Sequence, residues 1–418
     1  MELKRVVVTG LGAITPIGNT VPDLWDSVVN GVSGGDMITH FDASKFKVQI
    51  ACEVKGFNVA DYMDPKEARK MDLYCQYAIA AAKQAIEDSA IDTEKEDLDR
   101  IGVIYGVGIG GIRTFEEEMA YYEKVKENGP KFSPFFIPKM ISDISTGHIS
   151  MMYGFRGPNF VTTSACASST NAIADAFNYI RLGKADIIVA GGAEAAVSVA
   201  GVGGFSSMKA LSTRNDSPAS ASRPFSNSRD GFVIGEGSAA LILEEYEHAV
   251  ARGAKIYAEI AGTGLSADAH HITAPHPEGA GAILAMRHAL EDAGMNTGDI
   301  DYINTHGTST PLGDIAELKA IKGLFGDHAY EMNISSTKSM TGHLLGAAGA
   351  LEALISVLAV KNDIVPPTIN HEDGDDDPNI DPRLNLTFNK AQKRTVRAAL
   401  SNTFGFGGHN SSVIVKKA

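Results

Sequence analysis

Short runs rich in valine and isoleucine alternate along the chain with longer segments of helical periodicity. The clearest short runs are residues 5–9, 101–105, 187–190 and 302–304. In segment 71–89 apolar residues recur at three- and four-residue steps, which is the spacing of one helix face. Alternation of buried strands with amphipathic helices is typical of α/β architecture. We therefore predict an α/β fold with buried sheets.

Two of the predicted helices end in similar sequences. Residues 85–89 read Ala-Ile-Glu-Asp-Ser and residues 289–293 read Ala-Leu-Glu-Asp-Ala. Each precedes an acidic loop and a predicted strand. The match is explained equally well by two homologous halves or by chance likeness of two amphipathic helix ends. We favour duplication because the chemistry described below draws on both halves.

Composition narrows the range of functions. Of 418 residues, 44% are hydrophobic and 21% are charged, as in an ordinary globular protein. The formal net charge of −14 argues against general affinity for nucleic acid, which depends on clustered Lys and Arg. An acidic partner would therefore have to bind a local basic patch.

Targeting and redox signals indicate a cytoplasmic protein. The first residues enter a strand without an apolar signal core, and no uncharged apolar run of about 18 residues follows. The three cysteines, Cys52, Cys75 and Cys166, are odd in number and lack CxxC spacing. We expect free thiols, with no disulfide framework, no zinc knuckle and no membrane insertion.

Two glycine-rich segments resemble dinucleotide-binding loops. Gly106 to Gly111 satisfies GxGxxG after a predicted strand, and Gly10 to Gly12 follows another. A Rossmann fingerprint also needs an acidic residue at the end of a second strand roughly 20 residues later, and neither segment has one. We therefore expect tight turns against a neighbouring sheet at both places.

The acidic segment 370–382 faintly resembles a calcium loop. It lacks the alternating aspartates and the terminal glutamate that such a loop requires. We expect a solvated surface loop.

Cys166 is the strongest candidate nucleophile. It lies where the β-branched run 160–163 meets a helical pattern that Gly183 closes. Unpaired N–H groups at a helix start lower a thiol pKa and favour the thiolate. Most lone cysteines are buried structural residues, and Cys52 and Cys75 are interpreted in that way.

Two histidines are candidate partners for this cysteine. His306 follows the predicted strand 302–304 in a turn rich in glycine and hydroxyl groups, and His343 is expected to open a helix of small residues. Small residues would let that helix approach another backbone closely, and such packing explains them without any catalysis. The sequence around His343 therefore favours a structural and a functional role equally. The remaining histidines lack metal-ligand spacing, including His270, His271 and His276.

Four motifs make the chain resemble the β-ketoacyl-acyl-carrier-protein synthases. They are Thr-Ser-Ala-Cys-Ala-Ser-Ser at 163–169, Asn-Thr-His-Gly-Thr-Ser-Thr at 304–310, Lys-Ser-Met-Thr-Gly-His at 338–343 and Asn-Thr-Phe-Gly-Phe-Gly-Gly at 402–408. The likeness extends over essentially the whole chain, and it is greatest to the elongating synthase II group, which shares Ser-Pro-Phe-Phe at 133–136. His409 departs from the family pattern, where threonine follows the glycine pair.

The resemblance implies the thiolase-like fold, five layers in the order αβαβα with two duplicated halves. We expect the halves to be 1–258, carrying the nucleophile, and 259–418, carrying both histidines. It also implies decarboxylative Claisen condensation, with the acyl chain held on Cys166 and the enolate stabilised by His306 and His343. The N–H groups of Cys166 and Phe406 would form the oxyanion hole, and Lys338, paired with Glu352, would support the site electrostatically.

Further roles follow only from the resemblance. Ile109 corresponds to the end of the acyl pocket, and Phe404 and Phe406 to its gate. Thr273, Thr308 and Thr310 correspond to positions that contact the pantetheine. The expected docking residues for the acidic carrier protein are Lys66, Arg69, Lys70 and Lys209.

The implied partners are the acyl and malonyl forms of acyl-carrier protein, with a homodimer as the assembly. No separate cofactor is expected, because 4′-phosphopantetheine arrives on the carrier protein. Two alternatives stay open: a type II polyketide ketosynthase, which shares every catalytic residue, and a non-catalytic chain-length subunit, against which the retained Cys166 argues. A degradative thiolase is excluded because no cysteine follows Cys166.

Overall fold

A computed structural model describes residues 3–418 of the chain. Its strands are β1 Val6–Ile14, β2 Asp36–Met37, β3 Ile50–Ala51, β4 Ile101–Gly106, β5 Asn159–Thr162, β6 Ile187–Glu194, β7 Gly237–Glu245, β8 Ala258–Ala267, β9 Tyr302–Asn304, β10 Asn333–Ser335, β11 Ile364–Val365, β12 Gln392–Lys393, β13 Ala398–Gly405 and β14 His409–Lys416. Its helices are α1 Val21–Asn30, α2 Pro65–Ala68, α3 Leu73–Ser89, α4 Ile112–Val125, α5 Phe136–Met140, α6 Ile144–Tyr153, α7 Ser168–Arg181, α8 Val199–Ser207, α9 Tyr246–Ala251, α10 Ala280–Ala293, α11 Pro311–Phe325, α12 Lys338–Thr341 and α13 Ala348–Asn362.

Ten strands form one sheet in the order β10-β9-β13-β14-β8-β1-β7-β6-β4-β5. At its centre β1 and β8 pair antiparallel over three residues of each strand. Outward from β1 the order is β7, β6, β4, β5, and outward from β8 it is β14, β13, β9, β10. Strand directions repeat as well, since two antiparallel pairings are followed by two parallel ones on each side. The two sides therefore share one topology.

The similar helix ends have the same role on each side of this sheet. At the end of α3, Asp88 accepts the backbone N–H of Leu11 at 3.0 Å. At the end of α10, Asp292 accepts the backbone N–H of Thr263 at 2.9 Å. In each case the aspartate binds the central strand of its own side of the sheet, β1 or β8. This equivalence of position and bonding supports duplication over chance likeness.

Glycines in the two central strands allow these helices to approach closely. A Cβ added to Gly12 would overlap the carbonyl oxygen of Ala81 in α3, and one added to Gly264 would overlap that of Ala285 in α10. The turn expected at residues 10–12 is therefore wrong, because β1 continues through them to Ile14. Glycine is needed there for helix-to-strand contact rather than for chain reversal.

The two five-stranded sides of the sheet form two layers, and helices form three more, one between the sides and one on each outer face. Three hydrophobic clusters hold these five layers together. The central cluster contains α7 and α13 together with strands from both sides of the sheet. A second cluster packs α3 on the outer face of the first side, and a third packs α10 and α11 on the outer face of the second. Within β7, Leu241 and Leu243 face the centre while Ile242 faces outward, as the period of a strand requires. The fold is thiolase-like, in agreement with the expected αβαβα arrangement.

The helix α13 is buried on all sides. The stretch Leu345–Asn362 is long and apolar enough to cross a membrane by length and composition, but 89% of it is buried inside the protein. It is therefore a core helix of the central layer.

The acidic segment 370–382 is mostly exposed, as expected for a solvated loop, but two of its aspartates are bound to the rest of the protein. Asp375 accepts the backbone N–H of Ser228 at 2.8 Å, and Asp377 pairs with the Arg229 guanidinium at 2.7 Å. Both aspartate side chains are largely buried by these contacts. Arg229, 148 residues before Asp377, and Arg223 neutralise these two aspartates, and the sequence of the segment alone could not predict that pairing.

Candidate functional site

Cys166 lies at a sharp turn between β5 and α7. Ala165 has a φ of 51°, in the left-handed region. The hydroxyl of Ser168, in the first turn of α7, accepts the N–H of Ser164 at 2.9 Å and donates to the carbonyl of Ala165 at 2.6 Å. This bonding offsets the backbone strain and directs Cys166 into the cavity described below.

The structure brings Cys166 together with both predicted histidines. The Nε2 atom of His343 lies 3.0 Å from the cysteine Sγ. The ring of His306 lies 5.2 Å from that of His343 and is nearly perpendicular to it. One sulfur and two imidazoles from three distant segments therefore face one another.

His343 is held by backbone contacts. Its N–H and C=O pair with Val233 and Gly235 at 2.8 and 2.9 Å. It does not open a helix as expected, because α12 ends at Thr341 and α13 begins at Ala348, with a short 3-10 helix, Leu345–Ala347, between them.

One hydrogen bond sets the tautomer of this histidine. The N–H of Leu345 donates to Nδ1 of His343 at 3.3 Å, so the ring proton of the neutral imidazole resides on Nε2. That Nε2–H points at the sulfur, which makes His343 a hydrogen-bond donor in the site. The three side chains also lie close enough to hold a metal ion, but a donor N–H offers no lone pair to one.

The pKa of the Cys166 thiol is higher than its position at a helix start led us to expect. Burial raises its pKa to about 12, although the nearby charge of Lys338 and the backbone N–H of Phe406 lower it. The expectation of a lowered pKa is therefore wrong, because the loss of water around the sulfur outweighs the charges that favour a thiolate. The resting form is a thiol beside a neutral imidazole.

His306 is fixed by a glutamate that sequence reasoning missed. Glu317 of α11 accepts the backbone N–H groups of His306 and Gly307 at 2.9 and 2.8 Å, and the amide of Asn402 donates to it at 3.2 Å. Burial raises the pKa of Glu317 to about 7. A carboxylate that binds backbone N–H groups leaves no side-chain pairing pattern in the sequence. Burial likewise lowers the pKa of both histidines well below the ordinary value, so both are neutral.

Lys338 lies beneath these residues and is almost fully buried. Its ammonium group pairs with the carboxylate of Glu352 in α13, the partner that the sequence suggested. The positive charge lies close enough to lower the pKa of both His306 and His343. Lys338 therefore contributes electrostatically to the site.

A second missed carboxylate, Glu194, lies at the end of β6. It accepts backbone N–H groups of Gly108, Ile109 and Gly110 after β4, and that of Gly346 beside the histidine segment, at 2.9 to 3.2 Å. The N–H groups of the GxGxxG loop that would bind a phosphate in a nucleotide site are thus bound to the protein's own carboxylate. The signal was the strand end Val-Ala-Gly-Gly-Ala-Glu at 189–194.

A cavity of about 360 Å³ opens onto Cys166. The expected gate residues Phe404 and Phe406 line it, as do the expected pantetheine contacts Thr273, Thr308 and Thr310 and the docking residue Lys209. The segment after Phe406 has glycines of positive φ at 407 and 408, and the N–H of Gly407 donates to the carbonyl of Ile272 at 2.7 Å. His409, which departs from the family pattern, is exposed at the start of β14.

Other predicted residues lie outside this cavity. Ile109 is 38% exposed and does not line it. Lys66 and Arg69 are exposed on and just after the single turn of α2, where Lys70 pairs with Glu67 at 2.7 Å. The other two cysteines, Cys52 and Cys75, are buried free thiols that do not line the cavity.

Comparison with protein families gives two adjoining matches. Residues 3–249 match the model "Beta-ketoacyl synthase, N-terminal domain", and residues 257–372 match "Beta-ketoacyl synthase, C-terminal domain". Among curated proteins, the chain is 49% identical to the 3-oxoacyl-[acyl-carrier-protein] synthase 2 of Staphylococcus aureus over 99% of this chain and 98% of that protein. It is also 49% identical to the protein of the same name from Synechocystis sp., over 100% of this chain and 99% of the relative.

Solved structures share the fold. A beta-ketoacyl synthase from Burkholderia phymatum superposes with a TM-score of 0.90 and 36% identity, covering 99% of this chain and 100% of that one. A type II polyketide ketosynthase, solved in complex with its acyl-carrier protein, superposes with a TM-score of 0.87 and 32% identity over the whole of both chains.

Proposed function

Because the chain belongs to the beta-ketoacyl synthase family and is a condensing enzyme of fatty acid elongation, we propose that Cys166, His306 and His343 perform the chemistry. The observation that carries this assignment is the 3.0 Å approach of His343 Nε2 to the cysteine sulfur inside a cavity. A binding-only subunit would have no need of a sulfur so placed.

In the first half-reaction Cys166 takes the acyl chain. The sulfur attacks the carbonyl of the acyl-carrier thioester, the bond to the pantetheine sulfur breaks, and the thiol proton passes to that leaving sulfur. The backbone N–H groups of Cys166 and Phe406 stabilise the oxyanion; the latter already points at Sγ. Loss of one such donor typically costs about 3 to 4 kcal/mol of transition-state stabilisation.

In the second half-reaction malonyl-carrier protein occupies the same cavity. The bond from its central carbon to the carboxylate breaks, carbon dioxide leaves, and the electron pair becomes an enolate. His343, a donor through Nε2–H, stabilises the enolate oxygen together with His306. The enolate carbon then attacks the acyl thioester on Cys166, which forms the new carbon-carbon bond and releases the cysteine sulfur as a thiolate. A proton taken up from water restores the thiol.

We propose that the carrier protein docks on Lys66, Arg69, Lys70 and Lys209. These side chains are wholly or partly exposed, and Lys209 also lines the mouth of the cavity. Basic groups on a chain of net charge −14 offer an acidic partner a local site. The carrier-protein complex of the similar polyketide ketosynthase supports the choice of partner.

The two halves proposed as duplicated units are 1–258 and 259–418. The boundary falls at the first residues of β8, which begins at Ala258. The repeated strand order and the equivalent aspartates support this division.

We further propose a cytoplasmic homodimer. Phe115, Phe132, Phe135 and Ile137 are all more than 40% exposed, and we call them the aromatic face; within it Phe115 and Phe132 pack against Phe136. The exposed Ile109 lies on the neighbouring loop, whose Gly111 N–H donates to Met140. A second copy covering this face would cover Ile109 too, which accounts for its exposure in one chain.

The test supplies purified protein with acyl-carrier proteins of graded chain length and malonyl-carrier protein, and measures 3-oxoacyl products by mass. We expect products two carbons longer than each accepted acyl chain. In His306→Ala and His343→Ala, acyl transfer to Cys166 should continue while carbon dioxide release falls at least about 10²-fold. Unchanged release in both variants would refute the roles assigned to the histidines.

A further inference from the structure

One part of the cavity wall is a short strained loop. Thr308 and Thr310 both line the cavity, with their hydroxyl oxygens 3.0 Å apart. Between them Ser309 has a φ of 68°, in the left-handed region that side chains rarely adopt. A non-glycine residue keeps such a conformation only where its surroundings hold it.

Asp314 is the first residue that holds this loop. It is fully buried in the first turn of α11, and its backbone N–H donates to the carbonyl of Thr310 at 3.1 Å. Its Oδ2 also accepts the N–H of Phe225 at 2.9 Å, and Phe225 has a φ of 70°. Asp314 thus joins the strained Phe225, through its carboxylate, to the threonine loop, through its backbone.

Arg229 continues the network away from the cavity. Its buried guanidinium donates from Nη2 to the carbonyl of Pro311 at 3.1 Å and lies 3.3 Å from Asp314. Its Nε lies 3.4 Å from the carbonyl of Thr310. The arginine therefore contacts the backbone immediately after the two threonines but does not itself line the cavity.

The far end of the network is Asp377 in the acidic segment. Its Oδ2 accepts from Nη1 of Arg229 at 2.7 Å. Without Asp377, Arg229 would have one buried carboxylate partner, Asp314, among the residues described. A second carboxylate fixes the orientation of the planar guanidinium, whose donors must meet partners in definite directions.

We propose that Asp377, acting through Arg229, is a positioning residue that holds Thr308 and Thr310 in place to receive the pantetheine arm of the carrier protein. This inference rests on the proposed function, in which those threonines contact the arm. Asp377 touches neither substrate nor reacting atoms, so its loss should weaken substrate binding without altering the chemical step.

The experiment compares Asp377→Asn with Asp373→Asn in the full-length enzyme. Asp373 lies in the same segment, is exposed, and makes no hydrogen bond or ion pair within residues 3–418. We expect Asp377→Asn to raise KM for both acyl- and malonyl-carrier protein roughly three- to tenfold with kcat unchanged. The control variant should match wild type, and Asp377→Glu should recover part of the lost affinity.

A second substrate separates positioning from general damage. A 4-nitrothiophenyl ester of a short fatty acid can acylate Cys166 but carries no pantetheine arm. We expect its rate of acyl transfer to be the same in wild type and Asp377→Asn. If Asp377→Asn reacts more slowly with this ester by the same factor as with the carrier proteins, the role of Asp377 is structural and the inference is overturned. A KM for the carrier proteins equal to that of Asp373→Asn would also overturn it. Failure of wild type to elongate would refute the proposed function itself.

Discussion

The side chains around Cys166 include three buried carboxyl groups. Burial raises the pKa of Glu194, Glu317 and Glu352 to about 7 in each case, and Glu352 is paired with Lys338. Charge on Glu194 and Glu352 raises the pKa of the cysteine further. A protonated thiol is less prone to oxidation than a thiolate.

The raised thiol pKa predicts a particular pH dependence of alkylation. Because the thiolate is the reactive form, the rate of Cys166 modification by iodoacetamide should rise about tenfold per pH unit between about pH 7 and pH 9. Intact-protein mass measured over time follows the reaction, with Cys166→Ala as the control for labelling elsewhere. A rate that levels off below about pH 8 would show that the helix start dominates after all.

Sequence reasoning found the residues that carry out the reaction but not those that hold them. Cys166, His306 and His343 belong to recognisable motifs, and their side chains do chemistry that few residue types can do. Glu194 and Glu317 bind backbone N–H groups contributed by segments up to 152 residues away. Any residue can supply a backbone N–H group, so no local pattern predicts which groups a buried carboxylate binds, even where a strand end such as residues 189–194 marks the carboxylate itself.

At the scale of elements, Glu194 joins the loop after β4 to the segment before α13. Gly108 and Gly346 lie so close together that a Cβ on Gly346 would overlap the N–H of Gly108. The carboxylate stabilises this approach by accepting N–H groups from both sides. A glycine-rich motif that predicts nucleotide binding in one context thus serves here to pack two loops beside His343.

Replacing this carboxyl with an amide should change stability in a pH-dependent way. The pKa of Glu194 is raised from 4.5 to about 7, so its contribution to the free energy of unfolding is complete below 4.5 and is lost as pH rises through 7. Glu194→Gln should destabilise the protein by roughly 2 to 3 kcal/mol, and by more at about pH 5.5 than at about pH 8. Urea unfolding at both pH values measures this difference. The exposed Glu291→Gln serves as control, and a deficit that is equal at both pH values would contradict the assignment.

Element boundaries were predictable where periodicity decides them. The strand Tyr302–Asn304 and the start of β4 at Ile101 agree with the pattern of β-branched residues. The start of α13 was misplaced by five residues because backbone pairing with Val233 and Gly235 holds His343 out of the helix. Tertiary hydrogen bonds of this kind override local propensity.

At the scale of the whole molecule, the site forms only where the two halves meet. Cys166 comes from the first half of the sequence and both histidines come from the second, and α7 and α13 pack together in the central layer. The duplication could be suspected from residues 85–89 and 289–293 but not established, because five residues cannot reveal a strand order. The repeated topology required coordinates.

The aromatic face predicts the assembly. Phe135 and Ile137 are 41% and 54% exposed, so aspartate at both positions should leave the fold of one chain intact while opposing its burial against a second copy. Wild type should sediment as a dimer, and Phe135→Asp/Ile137→Asp as a monomer with an unchanged circular dichroism spectrum. A variant that remains dimeric, or a wild type that sediments as a monomer, would place the interface elsewhere or remove it.

The most direct test of the account compares carbon dioxide release with condensation in Cys166→Ala. The enolate depends on His306 and His343, whereas the new carbon-carbon bond requires an acyl group on the sulfur. The account predicts that this variant gains no acyl mass and makes no 3-oxoacyl product, yet still releases carbon dioxide from malonyl-carrier protein. Elongation by Cys166→Ala at the wild-type rate would contradict it.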